Sequence, residues 1–578
     1  LVIFIPSHRK EQRVEPRKIV VIGGSAAGAK AAAKARRLDE FAEITLIQKA
    51  PDLSMASCGY PYYIGGVFNE RRQLLCSPAG VVRDTEFFAK AKKIKALVET
   101  EVVAIERGEK RVRCRRVGGD EEFVVDYDAL IVATGALAKR PPVPGVELAG
   151  VTTLLTMADT DYLRGVCDGG KARQAVVVGG GLIGVEACEA LHRAGMEVSL
   201  VEALDQVLSF LDGDLAMLVE NHMRAKGVRV EIGKAVAEFV GDRGVLVGVR
   251  LVDGTMIPCQ VAVVAVGVRP NSDLAREAGL KIGASGGIVV NAYMQTSDKV
   301  IYAAGDCVEI PSRISGAPVF APMGDLANLE GRVAGENAVC GNAVTFPGTY
   351  HTAICKVFDF SAGITGLSLA AAQTLGLEDC RAVVNAGSDK PGFMGGKLLV
   401  SRTLVAGAEH RLLGFQCVGP GDVSRQVATA AMAILGKLKV EDLVTADLPY
   451  APPYSLAIDH FIVSAHIMEN TLKGRMFGIS VGEVWEKLRR GEQPLLLDGR
   501  TPSECEEMQL GIGERLIPLG ALRSRLSELP SDKASEIICL CKISLRGYEM
   551  LAILRAHGYH NVRVMEGGIM AWPYPRKK

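Results

Sequence analysis

Two glycine-rich loops, Gly23-Gly24-Ser25-Ala26-Ala27-Gly28 and Gly179-Gly180-Gly181-Leu182-Ile183-Gly184, constrain the fold more than any other feature of this chain. Each follows a short apolar run (Ile19 to Ile22; Ala175 to Val178), and each opens into a stretch of helical composition. A strand turning tightly into a helix aims free backbone N–H groups and the positive end of the helix dipole at one point, which suits a pyrophosphate. One such loop is weak evidence. Two of them, about 150 residues apart, predict two dinucleotide sites.

At 578 residues, 48% hydrophobic and 23% charged, the chain is too long for one core and divides into several domains. Its net charge of +1 gives no electrostatic case for a nucleic-acid or acidic-membrane partner. No apolar run is long enough to span a bilayer, and the opening Leu1-Val2-Ile3-Phe4-Ile5 is too short for a signal-peptide core. Fourteen cysteines without dense spacing argue against a disulfide scaffold, so a reducing cytoplasm is expected.

Residues 1–17 read as a tail, or as a start placed slightly too far upstream. The first nucleotide-binding domain takes 18–150 and, after an insertion, 291–345. Its second strand, Ile44 to Ile47, ends at Gln48-Lys49, where an acid usually meets a ribose; Gln48 can hydrogen-bond there without charge. Its later pieces are Ala133-Thr134-Gly135, Gly305-Asp306 and Ala327. The inserted second domain covers 151–290 and closes with the strand Val261 to Gly267. Its acid is in place: Glu202 should bond the adenosine ribose and repel a 2′-phosphate, favouring NADH over NADPH. A mixed domain occupies 346–460, then a connector 461–475. A compact α/β unit fills 476–578, with strands at 495–498, 537–541 and 562–565. Strands alternating with helices imply doubly wound parallel sheets.

Two dinucleotides in one molecule are how a nicotinamide reduces a flavin, and Cys58 is where those electrons would go. No second cysteine lies between residues 40 and 75, so Cys58 has no local disulfide partner in that window. It must pair with a small thiol or a sulfur atom, or oxidise to a sulfenic acid. A thiolate beside a helix N-terminus is reactive at neutral pH. The competing reading is a buried structural cysteine. Cys541 ends a strand and opens a six-residue loop whose backbone N–H groups can form an anion nest, with Arg546 adding positive charge; that suits a persulfide carrier. A metal pair with Cys539 and an inert core thiol are the alternatives, although Cys-x-Cys alone lacks the second pair zinc needs, and no metal is expected.

Residues 18–460 resemble the flavin-dependent pyridine nucleotide–disulfide oxidoreductases, in particular the coenzyme A–disulfide reductase branch. The resemblance rests on the first glycine loop, Ser54-Met55-Ala56-Ser57-Cys58-Gly59-Tyr60-Pro61-Tyr62-Tyr63-Ile64-Gly65, Ala133-Thr134-Gly135, Gly305-Asp306 and Tyr450-Ala451-Pro452-Pro453-Tyr454-Ser455. Residues 476–578 resemble a rhodanese domain through Leu497-Asp498-Gly499-Arg500-Thr501-Pro502, Cys541-Lys542-Ile543-Ser544-Leu545-Arg546 and Glu566-Gly567-Gly568-Ile569-Met570-Ala571-Trp572. The combination is similar to fusion proteins described as NADH-dependent CoA-persulfide or polysulfide reductases. It implies a homodimer with FAD, NADH and coenzyme A, and a resting mixed disulfide between Cys58 and coenzyme A. It also implies a proton-donating Tyr450 that reaches the partner subunit's site, a substrate-side role for Ser54 and Ser57, and CoA-phosphate contacts from Arg37 beside Lys34 and Arg36. Several positions depart from the family pattern. Ser57 replaces an asparagine, the tyrosine usual near 386–391 is absent, 510–513 lacks a histidine, and Ser544 stands where glycine is common. Coenzyme A–disulfide reduction, NADH oxidase or peroxidase chemistry through a Cys58 sulfenate, and a C-terminal unit that only docks or regulates are the rival functions.

Overall fold

Strands covered on both faces must be apolar throughout, and the segments that flank the glycine loops meet that demand. The computed structural model describes residues 15–576; the tail expected over 1–17 lies, as far as residue 14, outside the described residues. The chain divides into two units.

The first unit comprises the chain up to Pro141, Thr153–Lys171 and Val266–Thr349. Its parallel sheet runs, edge to edge, through Ile301–Ala303, Ala129–Val132, Lys18–Ile22, Glu43–Ile47 and Ile94–Leu97. Strand Ile301–Ala303 reaches this sheet from far along the chain and pairs with Ala129–Val132. Helix Ala26–Leu38 packs on helix Gly324–Cys340 at backbone distance: a β-carbon at Gly331 would stand 2.3 Å from the Ala27 carbonyl oxygen, and one at Gly335 would stand 2.4 Å from that of Ala31.

The second unit comprises Pro142–Thr152, Ala172–Ala265 and the chain from Tyr350. It holds three five-stranded sheets. A parallel one, in the order Arg229–Ile232, Glu197–Glu202, Gln174–Val178, Val261–Val264 and Val151–Thr152, carries the second glycine loop. An antiparallel one runs through Ala353–Val357, Phe360–Gly366, Leu412–Gly419, Leu398–Ala406 and Cys380–Ser388. A second parallel one takes the order Gly478–Ile479, Val562–Met565, Ile537–Leu540, Leu495–Asp498 and Arg515–Leu516.

Two sequence expectations need correction. Most of the connector at 461–475 is helix His460–Leu472, capped by the Asp459 side chain accepting from Phe461 N. Phe461, Ala465 and Met468 bury themselves in the core of the antiparallel sheet, with Phe461 edge-on to Phe415. In addition, 153–171 and 266–290, expected in the inserted domain, belong with the first unit. Strand Val268–Pro270 pairs there with Ala136–Ala138, a contact that spacing along the chain does not reveal.

Candidate active site

In the first loop Gly23 has φ +101°, and a β-carbon on it would stand 2.0 Å from the Ala133 carbonyl oxygen; one on Gly28 would stand 1.8 Å from that of Gly23. Only glycine fits either place. Ser25 begins the helix without a side-chain cap, and no acid occupies its first turn, so its N–H groups remain available to an anion. Gly24 N donates to Gln48 Oε1 at 2.9 Å, so Gln48 sits at the loop. Lys49 instead projects outward and pairs with Glu101 at 2.7 Å. Thr134 and Gly135 are tied to Asn271, which accepts from Thr134 Oγ1 (2.5 Å) and donates to the Gly135 carbonyl (2.9 Å). Gly305 N donates to Glu330 Oε2 at 2.6 Å, and a β-carbon on Gly305 would meet those of Ala27 and Ala327. Burial raises the carboxyl pKa of Asp306 to about 6 and that of Glu330 to about 8.

The second loop repeats this design. Gly179 has φ +108°, and a β-carbon at Gly184 would stand 1.9 Å from the Gly179 carbonyl oxygen. Helix Leu182–Arg193, with Ile183 in its first turn, starts at Gly181 without a side-chain cap or an early acid. Glu202 accepts from Gly180 N (2.5 Å) and Leu204 N (2.8 Å), which holds its carboxylate at the loop. Gly267 falls outside this group. It lies in the first unit, where its carbonyl accepts from Lys139 N at 3.0 Å. Both cradles thus fit dinucleotide phosphates on glycine geometry and open helix ends.

Cys58 occupies an exposed 3-10 turn, Ser57–Gly59. A β-carbon on Gly324 would lie 3.4 Å from its sulfur, so the thiol sits at the start of the 17-residue helix Gly324–Cys340, which has no side-chain cap. Buried Ser54, at φ +51°, donates its N–H to the Gly24 carbonyl (2.7 Å) and ties this segment to the first cradle. Ser57 is exposed beside the thiol. The turn is backed by Leu74, whose carbonyl accepts from Ala56 N at 2.8 Å. Arg71 then pins that backing segment through Asp52 (2.6 Å) and Asp161 (3.0 Å). The basic cluster expected around Arg37 does not form. Lys34 pairs with Glu336, and Arg36 is buried, spending its guanidinium on five backbone carbonyls, so Arg37 alone faces outward.

Tyr450 and Tyr454 are both exposed, on a segment held by Arg425, which donates to the Tyr454 carbonyl (2.5 Å) and to Asp459 Oδ2 (2.9 Å).

Cys541 lies just past strand Ile537–Leu540, at the floor of its loop and only 1% exposed. Ser544 takes φ +81° to start helix Leu545–Ala556. Arg546 lies near enough to Cys541 to feel its charge and forms a two-pronged pair with Glu504, both contacts at 2.7 Å; with Thr501, this pairing lowers the pKa of the Glu504 carboxyl to about 2. Cys539 is fully buried, and desolvation pushes its thiol far above the ordinary range. Where histidine is missing, Glu514 accepts from the N–H groups of Leu510, Gly511 and Ile512 and shapes the turn. Sequence reasoning missed Arg71, Glu330, Glu504 and Glu514. The only local signal was a charged residue set among small or apolar neighbours, as Glu330 is.

A family model described as pyridine nucleotide-disulphide oxidoreductase matches residues 17–321, its dimerisation domain matches 352–461, and a rhodanese-like domain matches 480–573. A Pyrococcus horikoshii protein named NAD(P)H coenzyme A polysulfide/persulfide reductase is 32% identical over 455 residues, 78% of this chain and 98% of its own. A Methanocaldococcus jannaschii protein named NADH oxidase is 31% identical over 79% of this chain and 99% of its own. A solved structure of an NAD-dependent persulfide reductase from A. fulgidus aligns at a TM-score of 0.91 and 40% identity, covering 96% of this chain and all of that one.

Proposed function

This chain belongs to the pyridine nucleotide–disulphide oxidoreductase family, and we propose that within it the protein is an NADH-dependent reductase of CoA persulfide and polysulfide. The observation that carries this reading is the exposed Cys58 sulfur at the start of helix Gly324–Cys340, in one chain with a second thiol, Cys541, whose loop carries the Glu504-paired Arg546. Bound NADH and FAD supply an electron pair to sulfur. Gly23, Gly24, Ser25, Ala26, Gly28, Gln48, Asp306 and Ala327 would hold FAD, and Gly179, Gly180, Gly181, Ile183, Gly184 and Glu202 would hold NADH.

The Cys58 thiolate attacks the CoA-linked sulfur of a persulfide and forms a Cys58–CoA mixed disulfide as hydrosulfide leaves. Two electrons then return Cys58 to the thiolate and release coenzyme A, whose leaving sulfur takes a proton from Tyr450 and departs as the thiol. On the C-terminal domain, the Cys541 thiolate takes a sulfane sulfur from a donor and becomes a persulfide beside Arg546. A coenzyme A thiolate removes that sulfur and carries it to Cys58. The working unit is a homodimer, consistent with exposed Met432, Leu435, Ile354 and Ile458 on the dimerisation domain. A cytoplasmic setting agrees with the lack of disulfides among the described residues. No helix among them is long and apolar enough to cross a membrane.

Anaerobic NADH consumption with polysulfide, CoA persulfide or CoA disulfide, in intact protein, Cys58→Ser and Cys541→Ser, tests this reading. Persulfide should turn over fastest and Cys58→Ser should abolish it. Turnover that requires oxygen rather than sulfur would transfer the assignment to NADH oxidase.

A further inference from the structure

Cys380–Ser388 is an edge strand of the dimerisation sheet, bonded on one side only, to Leu398–Ala406 with Val384 opposite Arg402. An edge leaves backbone N–H groups in need of acceptors. The acceptor for Val384 N comes from the C-terminal domain: Glu566 Oε2, at 3.0 Å, on a residue 8% exposed. The carboxyl's other oxygen faces Gly478, where a β-carbon would stand 1.9 Å from it. Glu566 therefore fills a slot built by a strand of one domain and a glycine of another.

The next four residues carry this contact to the Cys541 loop. Gly567 has φ +67°, and a β-carbon there would stand 3.0 Å from Val384 Cγ1, so the backbone continues along the same strand edge. Gly568 has φ +58°, and a β-carbon there would stand 2.4 Å from the Cys541 carbonyl oxygen. Ile569 N donates to that oxygen at 2.9 Å, and Met570 N donates to the Lys542 carbonyl at 3.2 Å. One run, 566–570, thus grips the dimerisation sheet with its first two residues and the Cys541 loop with its last three. A second tie, from Asn221 Nδ2 to the Pro573 carbonyl at 2.6 Å, lies a few residues further along the chain.

We propose that Glu566 is a positioning residue for Cys541, its carboxyl fastening the sulfur-carrying loop to the free edge of the dimerisation sheet. This rests on the proposed passage of sulfur from Cys541 through coenzyme A to Cys58. The dimerisation domain also bears Tyr450, so the clamp fixes the sulfur carrier on the domain that supplies the proposed proton donor. The carried sulfur then sits on a loop fixed to the dimerisation sheet rather than on a freely swinging domain, which spares the transfer the entropy of ordering that domain.

The test uses the full-length holoenzyme with Glu566→Ala and Glu566→Gln. Glutamine keeps an acceptor oxygen for Val384 N; alanine does not. Thiosulfate loads the carrier: the Cys541 thiolate takes its outer sulfur and releases sulfite, and a coenzyme A thiolate then removes that sulfur. Three rates are compared: thiosulfate-to-cyanide transfer, NADH oxidation with CoA persulfide added directly, and NADH oxidation with thiosulfate plus coenzyme A at enzyme concentration. Glu566→Ala should leave the first two within about twofold, lower the third by about tenfold, and speed amide exchange across 380–388, with Glu566→Gln restoring both the third rate and the exchange. Unchanged exchange in Glu566→Ala overturns the clamp. Faster exchange with an unchanged third rate overturns the positioning role, as does a loss of cyanide transfer equal to the loss of relay. A wild-type protein that reduces CoA persulfide but shows no thiosulfate-driven turnover refutes the relay itself, and exchange at 380–388 still decides the clamp.

Discussion

The sulfur of Cys58 lies against Gly324, 3.4 Å from where a β-carbon on that glycine would stand, at the first residue of a 17-residue helix. The dipole of that helix favours negative charge at the thiol. Gly324→Asp should therefore shift the alkylation profile of Cys58 to higher pH by about one unit, because a neighbouring carboxylate disfavours the thiolate. Gly324→Asn, similar in size and uncharged, should leave the profile in place. Equal shifts in both variants would show that crowding, and not charge, acts on the sulfur.

The two glycine cradles should fail separately. Gly28→Ala drives a methyl group into the Gly23 carbonyl, so the protein should lose its yellow colour, read as flavin per chain. Gly184→Ala does the same at Gly179 and should keep flavin while raising the KM for NADH by about tenfold. Flavin loss from Gly184→Ala would contradict the assignment of the second loop.

Much of this was legible because it is local. A glycine loop, the strand before it and the residue about twenty positions on are set by short-range geometry, and Gln48 and Glu202 stand at Gly24 and Gly180 as their spacing implied. What escaped the sequence joins distant segments. Arg71 reaches Asp161, Glu330 reaches Gly305 and Glu504 reaches Arg546, contacts with no fixed spacing to betray them. Helix His460–Leu472 escaped for another reason. Its apolar residues face both the sheet and its neighbours, so no single stripe marks it. The resemblance set Lys34 and Arg36 beside Arg37, and nothing local in the sequence marks that the first is paired with Glu336 and the second spent on backbone carbonyls.

Glu202 should set nucleotide choice. Glu202→Gln keeps the acceptor for Gly180 N but removes the charge that opposes a 2′-phosphate, so kcat/KM for NADPH relative to NADH should rise by about tenfold. An unchanged ratio would mean that other residues discriminate.

Glu330 carries a pH signature. Its carboxyl is raised from 4.5 to about 8, chiefly by burial, so the folded protein binds that proton more tightly than the unfolded chain does. The resulting stability is full below about pH 4.5 and is lost as pH rises through about 8, at roughly 1.4 kcal/mol per unit. Glu330→Gln keeps an acceptor for Gly305 N and cannot ionise. Its melting temperature, measured against the natural protein, should therefore gain between pH 5 and pH 8, and a constant difference would place the ionisation elsewhere.

The most direct test of Cys58 as the electron acceptor is an anaerobic NADH titration of the purified protein beside Cys58→Ser, monitored through flavin absorbance. A Cys58–CoA disulfide must be reduced as well as the flavin, so the natural protein should consume more NADH per flavin than Cys58→Ser before the spectrum stops changing. Superimposable titrations, with the same end point and the same spectra, would contradict the account.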